Sequence, residues 1–79
     1  MKARVYVTLK PSVFDPQGRV VAEALHTLGY SEVQDVRQGK FFEVDLDAAD
    51  RDAAEARVSE MAAKLLANPV IESYRVEVQ

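Results

Sequence analysis

The residue types that carry most nucleophilic and metal chemistry are scarce in this chain. It contains one histidine, His26, and no cysteine. One copy therefore cannot assemble a zinc site of the usual His and Cys type, nor a Ser/His or Cys/His nucleophilic pair. His26 falls opposite the apolar stripe of its predicted helix, so we expect its ring to face solvent. These residues exclude most hydrolase classes.

Carboxylates are the one plentiful reactive group, with 13 Asp and Glu residues. Asp47, Asp50 and Asp52 cluster where a second helix is expected to begin. Carboxylates at such a position cap free backbone N–H groups and interact favourably with the helix dipole. We therefore interpret them as helix caps, ahead of paired general acid/base chemistry.

Phosphate and membrane binding are not predicted either. Gly18 and Gly39 stand alone, without GxGxxG or a GKS or GKT sequence to cradle a nucleotide phosphate. The formal charge of −3 has the wrong sign for binding nucleic acid or an anionic membrane. Apolar runs reach only three residues, far short of a membrane span. We expect a cytoplasmic protein with no bound cofactor or metal, no nucleic-acid partner and no membrane association.

The first half of the chain predicts a strand followed by a helix. Apolar and polar residues alternate from 3 to 10, as in a half-buried strand. Asp15-Pro16 predicts a helix start, with an N-cap aspartate before a first-turn proline, and Gly29 predicts the helix end. One stripe of this helix is apolar and is expected to pack. It comprises Val20, Val21, Ala24, Leu25 and Leu28.

The second half predicts a hairpin, a helix and a last strand. A weak strand is predicted over 33–37, where the valines break the two-residue period, and Gln38-Gly39 then connects it to a clear strand over 41–46. A second helix should run from Asp47 or Asp50 to Asn68-Pro69, and residues 74–78 alternate as the final strand. The buried stripe of this helix should comprise Ala54, Val58, Met61, Ala62 and Leu65.

The resulting order is a βαββαβ pattern of the α+β class. Its physical solution is an antiparallel sheet with both helices covering one face, in the ferredoxin-like arrangement or a rearranged version of it. Residues 1–79 should form a single domain. A chain this short buries only about 60% of its unfolded surface, so its core is thin and self-association would extend it.

Tyr6 and Phe41 are expected to share the outer face of this sheet. The segment 39–42 faintly resembles the RNA-contacting strand of an RNA recognition motif, in which such aromatics stack on bases. Glu43 and Asp45 follow on the same face and would place acid where phosphates pass. We therefore favour a protein contact for the aromatic pair.

An ordered set of short motifs carries a resemblance over essentially the whole chain. The motifs are Leu9-Lys10, Val13, Asp15-Pro16-Gln17-Gly18, Leu28-Gly29, Val36-Arg37, Gly39-Lys40, Glu43, Asn68-Pro69-Val70-Ile71-Glu72 and Tyr74. Together they resemble the PurS family, the small subunits of bacterial and archaeal phosphoribosylformylglycinamidine (FGAM) synthase.

The resemblance implies a subunit, not catalytic on its own, of an ATP-dependent, glutamine-hydrolysing ligase of de novo purine (IMP) biosynthesis. It implies bridging of a PurL-type synthetase, which uses ATP with Mg on that large subunit, and a PurQ-type glutaminase, with assistance to ammonia transfer. It also implies a homodimer or higher homo-oligomer in a PurS-like fold with elements exchanged between chains. The competing hypotheses are an RNA-binding module, a small-molecule regulatory domain of ferredoxin-like topology and a plain self-associating domain.

Candidate partner or dimer contacts follow from the two outward aromatics and from three segments rich in family-typical residues. These segments are the hairpin near 37–40, the corner at 15–18 and the turn at 68–72. The candidates are Tyr6, Asp15, Gln17, Arg37, Lys40, Phe41, Asn68 and Glu72. No catalytic, cofactor or metal residue is assigned. Charge reversal at Arg37 and Lys40 together is predicted to weaken assembly while the subunit stays folded.

Overall fold

A computed structural model describes all 79 residues of the chain. Its strands form one antiparallel sheet in the order β2-β1-β3. The elements are β1 (Lys2–Leu9), α1 (Pro16–Thr27), β2 (Gly39–Asp45), α2 (Arg51–Met61), a π-helical turn (Ala62–Leu66) and β3 (Glu72–Val78). The α+β class predicted from the sequence is confirmed.

The predicted strand over 33–37 is wrong, and the sheet has three strands instead of four. The backbone of this segment and of the adjoining Gln38 bonds to groups outside the sheet. The Val33 carbonyl accepts a hydrogen bond from His26 Nε2 at 2.6 Å, and the Gln38 N–H donates to the Asp15 carboxylate at 2.7 Å. The segment therefore runs beside α1 as irregular chain, and the element order is β-α-β-α-β.

The expectation that both helices cover one sheet face is also wrong for the single chain. Helix α2 packs on β1 and β3, whereas α1 does not pack on the sheet to a comparable extent. The molecule is accordingly long, at 49 × 25 × 14 Å, with a radius of gyration of 15.7 Å. A compact chain of this length would have a radius of gyration of about 12 Å.

The core lies between α2 and the inner face of the sheet. Ala3, Val5 and Val7 of β1 are fully buried against Val58 and other small residues of α2 and the turn that follows it. The predicted α2 stripe is confirmed at Ala54, Val58 and Ala62, but Met61 and Leu65 are exposed. The π-helical turn, closed by the Ala67 N–H on the Ala62 carbonyl at 2.9 Å, rotates the stripe so that Leu66 faces the core.

The predicted boundaries of α1 are confirmed, whereas the predicted packing of its apolar stripe is wrong within one chain. Asp15 is the N-cap, Pro16 opens the helix, and Gly29 follows with a φ of +101°. Val20 and Leu28 remain 64% and 74% exposed. Their burial requires a surface that the single chain does not provide.

Candidate functional site

Six of the eight candidate residues lie together at one end of the sheet, which we call the corner. Here the β1–α1 connection, the start of β2 and the turn before β3 meet. Asp15, Gln17, Lys40 and Glu72 help to line an open depression of about 230 Å³. Asn68 and Arg37 bond to its surroundings. The sequence motifs, which lie as much as 57 residues apart, therefore form one surface in space.

Asp15 lies at the centre of the corner and links the start of α1 to the chain before β2. Its carboxylate is buried and accepts hydrogen bonds from the N–H of Gly18 at 2.9 Å and of Gln38 at 2.7 Å. These two bonds, in that order, lower the pKa of Asp15 below its ordinary value of 3.8, and the nearby Arg37 charge lowers it further, against the opposing effect of burial. Asp15 is therefore an ionised structural anchor.

Glycine is required at two places where backbones meet at the corner. A Cβ atom on Gly18 would lie 2.1 Å from the Val36 carbonyl oxygen, and one on Gly39 would lie 2.3 Å from the Val7 carbonyl oxygen. Both contacts are with backbone, which cannot rotate away as a side chain would. Gly18 thus allows the 33–38 segment to lie directly on α1, and Gly39 allows β2 to begin against β1.

Arg37 closes the β1–α1 connection. Its Nη2 donates to the carbonyl oxygens of Val13 at 2.9 Å, Lys10 at 3.0 Å and Leu9 at 3.5 Å. This guanidinium links carbonyls along residues 9–13, of which the Lys10 carbonyl also accepts the Val13 N–H at 2.9 Å. The polar end of Arg37 is therefore directed at its own chain, and a partner contact through it remains a prediction.

The side of the corner next to β3 is formed by Glu72, Lys40 and Asn68. Glu72 accepts the Asn68 N–H at 2.7 Å through Oε1, and its Oε2 lies 3.5 Å from Lys40 Nζ. The Asn68 side chain accepts the N–H of Val70 at 3.0 Å, which closes the turn locally. Gln17 is exposed and makes no hydrogen bond through its side chain. It is the corner residue most free to contact a partner.

Tyr6 and Phe41 lie apart from the corner on the outer face of the sheet, as predicted. Their ring centroids are 5.1 Å apart, and the Arg75 guanidinium carbon lies 4.4 Å from the Tyr6 centroid. Arg75 Nη1 also bonds Glu77 at 2.7 Å. This face is not covered by either helix.

His26 is exposed, as expected, but its ring is not free. Its Nε2 donates to the Val33 carbonyl and pins the irregular segment to α1. No group of three or more His, Cys, Asp or Glu residues is arranged to hold a metal ion. No helix of the chain has the length and apolar character needed to cross a bilayer.

The exposed stripe of α1 is the surface that sequence reasoning missed as a contact. The sequence pattern predicted that this stripe packs within the chain. Only the expectation of a thin core indicated that a partner covers it. A second half-covered surface faces inwards from β2, where Phe42 and Val44 are half-buried because α2 lies over β1 and β3. The chain thus presents an uncovered helix face and an under-covered sheet face.

Comparisons with known proteins agree over the whole chain. The family model PurS, phosphoribosylformylglycinamidine (FGAM) synthase, matches residues 2–79. The chain is 56% identical over 78 residues to the phosphoribosylformylglycinamidine synthase subunit PurS of Bacillus subtilis, covering 99% of this chain and 92% of that protein.

Solved structures show the same fold. The structure resembles that of Methanocaldococcus jannaschii PurS with a TM-score of 0.90 and 37% identity, covering 99% of this chain and 94% of that one. It also resembles a chain in the structure of PurLQS from Thermotoga maritima with a TM-score of 0.88 and 29% identity, covering 96% and 93%.

Proposed function

The chain belongs to the PurS family, whose members are subunits of FGAM synthase in purine biosynthesis, and we propose that it bridges a PurL-type synthetase subunit and a PurQ-type glutaminase subunit. The observation that carries this proposal is the chemistry of the corner. Its charged groups bond to the backbone of their own chain or to one another. They build a preformed surface and leave no acid/base or nucleophilic centre, which suits a scaffold.

A scaffold contributes to this reaction through proximity. Ammonia released from glutamine must reach the activated amide before it is protonated or lost, and holding two active sites together raises its effective concentration. ATP and Mg belong on the large subunit in this scheme, and this chain assists the transfer by aligning the two sites. The assembly works in the cytoplasm, as a role in purine biosynthesis implies.

The same chain pairs with a second copy. The exposed stripe of α1, including Val20 and Leu28, is complementary in character to the half-buried inner face of β2 at Phe42 and Val44. The α1 of one chain laid on the β2 of the other would bury both surfaces and give each sheet its second helix. This exchange supports a homodimer, with higher homo-oligomers built from it.

RNA binding is disfavoured by the outer face. The Arg75 guanidinium already lies over the face of the Tyr6 ring, where a base would stack. Glu43 and Asp45 are exposed on the same face, where they would repel phosphates.

Gln17→Arg tests the corner as the contact surface, because this side chain is exposed and makes no hydrogen bond. The matched control is Gln79→Arg, an equal change at an exposed glutamine at the opposite end of the sheet, where the Gln79 N–H bonds the Lys2 carbonyl at 3.0 Å. We expect Gln17→Arg to weaken assembly with the purified synthetase and glutaminase subunits by about tenfold or more, which corresponds to about 1.4 kcal/mol, and the control to bind normally.

Light scattering coupled to size exclusion, with a titration for Kd, measures this assembly. Equal affinity of Gln17→Arg and the unsubstituted chain would remove the corner from the interface. Failure of the unsubstituted chain to enter a complex under turnover conditions would contradict the bridging role itself.

A further inference from the structure

The outer face of the sheet carries three side chains in one row. Phe41 on β2, Tyr6 on β1 and Arg75 on β3 are directly opposed across the two strand pairs. The next row towards one end contains Glu43, Arg4 and Glu77 in the same strand order. The two edge strands therefore each place a carboxylate two residues beyond a member of the first row.

The β3 side of this face already binds a guanidinium. Arg75 lies over the Tyr6 ring at 4.4 Å, and its Nη1 bonds Glu77 at 2.7 Å. The Tyr6 hydroxyl also donates to Glu77 at 3.4 Å. An aromatic ring holds the cation through its electron-rich face, and a carboxylate fixes the orientation of the planar group.

The β2 side repeats the ring and the carboxylate without the cation. Phe41 is 52% exposed, and Glu43, on the same face, is exposed and has no ion-pair partner within 4 Å. Arg4 is its cross-strand neighbour but does not pair with it within that distance. No guanidinium of this chain, Arg4 included, lies over the Phe41 ring or pairs with Glu43, so a ring and a carboxylate are open to a second guanidinium.

We propose that Phe41 and Glu43 receive an arginine side chain of a partner subunit in the synthetase–glutaminase assembly. The inference rests on the proposed bridging function and assigns the outer face to it as a second contact, distinct from the corner. Arginine fits better than lysine because its planar group stacks on a ring while it bonds a carboxylate side-on. The formal charge of −3 on the chain favours a basic partner surface.

Substitutions at Phe41 distinguish this contact from an ordinary apolar one. Phe41→Leu keeps apolar bulk and removes the π face, whereas Phe41→Trp keeps the π face and enlarges it. We expect Phe41→Leu to weaken assembly about fivefold to thirtyfold and Phe41→Trp to assemble with at least the original affinity. Thermal unfolding of each variant shows that the domain remains folded.

Substitutions at the carboxylate test the other half of the contact. Glu43→Gln should weaken assembly by a similar factor, and the weakening should shrink as salt is raised. Asp45→Asn is the matched control, since this carboxylate lies on the same face but neighbours the N-terminal ammonium at 3.8 Å. Its assembly should match that of the unsubstituted chain.

The outcomes separate the two proposals. If the unsubstituted chain does not assemble with the partner subunits, the proposed function and this inference both fall. If assembly occurs but Phe41→Leu or Glu43→Gln binds as well as the unsubstituted chain, only the arginine contact is overturned. Loss of self-association with unchanged partner affinity would assign this face to a second copy, and it would also overturn the inference.

Discussion

Leu28→Gln should weaken the homodimer without harming the subunit. Leu28 lies at the end of α1 and is 74% exposed in the single chain. Its backbone N–H donates to the Ala24 carbonyl at 3.1 Å, and this bond survives the change. Leucine and glutamine have similar helix propensities, so α1 itself should persist.

The magnitude follows from the apolar surface that the dimer covers. Full burial of a leucine side chain is worth about 1.5–3 kcal/mol. Because nearly three quarters of Leu28 is still exposed, about 1–2 kcal/mol per copy remains to be gained on pairing. A two-fold dimer buries the residue twice, so the loss is about 2–4 kcal/mol, or roughly 30-fold to 1,000-fold in Kd.

Sedimentation equilibrium over a concentration series measures this Kd. Leu28→Met is the control, since it keeps an apolar side chain and should pair within a few-fold of the unsubstituted chain. Far-ultraviolet circular dichroism of Leu28→Gln should show unchanged helix content. If the Kd of Leu28→Gln stays within twofold of the unsubstituted value, the stripe of α1 is not the dimer surface.

Three further predictions concern the corner and the core. The pKa of Asp15 is lowered in the folded chain, first by the Gly18 N–H and then by that of Gln38. The ionised carboxylate therefore stabilises the fold fully above pH 3.8, and this stabilisation is lost as the pH falls through the lower pKa of the folded chain. Urea unfolding should show this loss in the unsubstituted chain and a shallower acid dependence in Asp15→Asn; identical pH profiles would contradict it. Gly18→Ala should force the Val36 backbone to move and cost about 1–3 kcal/mol, seen as a Tm lower by roughly 4–24 °C. An unchanged Tm would show that the close contact is easily relieved. Val58→Ala should cost about 2 kcal/mol in the free energy of unfolding, since it removes two fully buried carbon groups and leaves a cavity; a loss below about 0.5 kcal/mol would mean that α2 collapses onto the gap.

Local signals predicted the elements that are held by local contacts. The alternation in β1 and the Asp15-Pro16 start of α1 depend on neighbouring residues, and both appear as expected. The strand predicted over 33–37 does not form, and its two valines already break the two-residue period of a strand. The Val33 carbonyl bonds instead to His26, and the N–H of the adjoining Gln38 bonds to Asp15, through contacts between residues 7 and 23 positions apart that no short pattern encodes.

The amphipathic periodicity of α1 predicted a buried helix face, but periodicity does not identify the surface that covers it. The stripe on α1 was correctly identified as apolar, yet its partner surface is absent from the single chain. At the corner, the motif residues were identified individually, but the bonds from Arg37 to carbonyls 24–28 residues away depend on the fold. The motif residues at the corner were thus predictable one by one, whereas their joint role in holding the chain together is visible only in the structure.

The most direct test of the bridging role is the FGAM synthase activity of the purified synthetase and glutaminase subunits, measured with and without this chain. Glutamine and free ammonium are supplied in parallel as nitrogen donors. We predict that glutamine-dependent activity requires the chain, whereas ammonium-dependent activity of the synthetase does not. Equal glutamine-dependent activity in the presence and absence of the chain would contradict the bridging role.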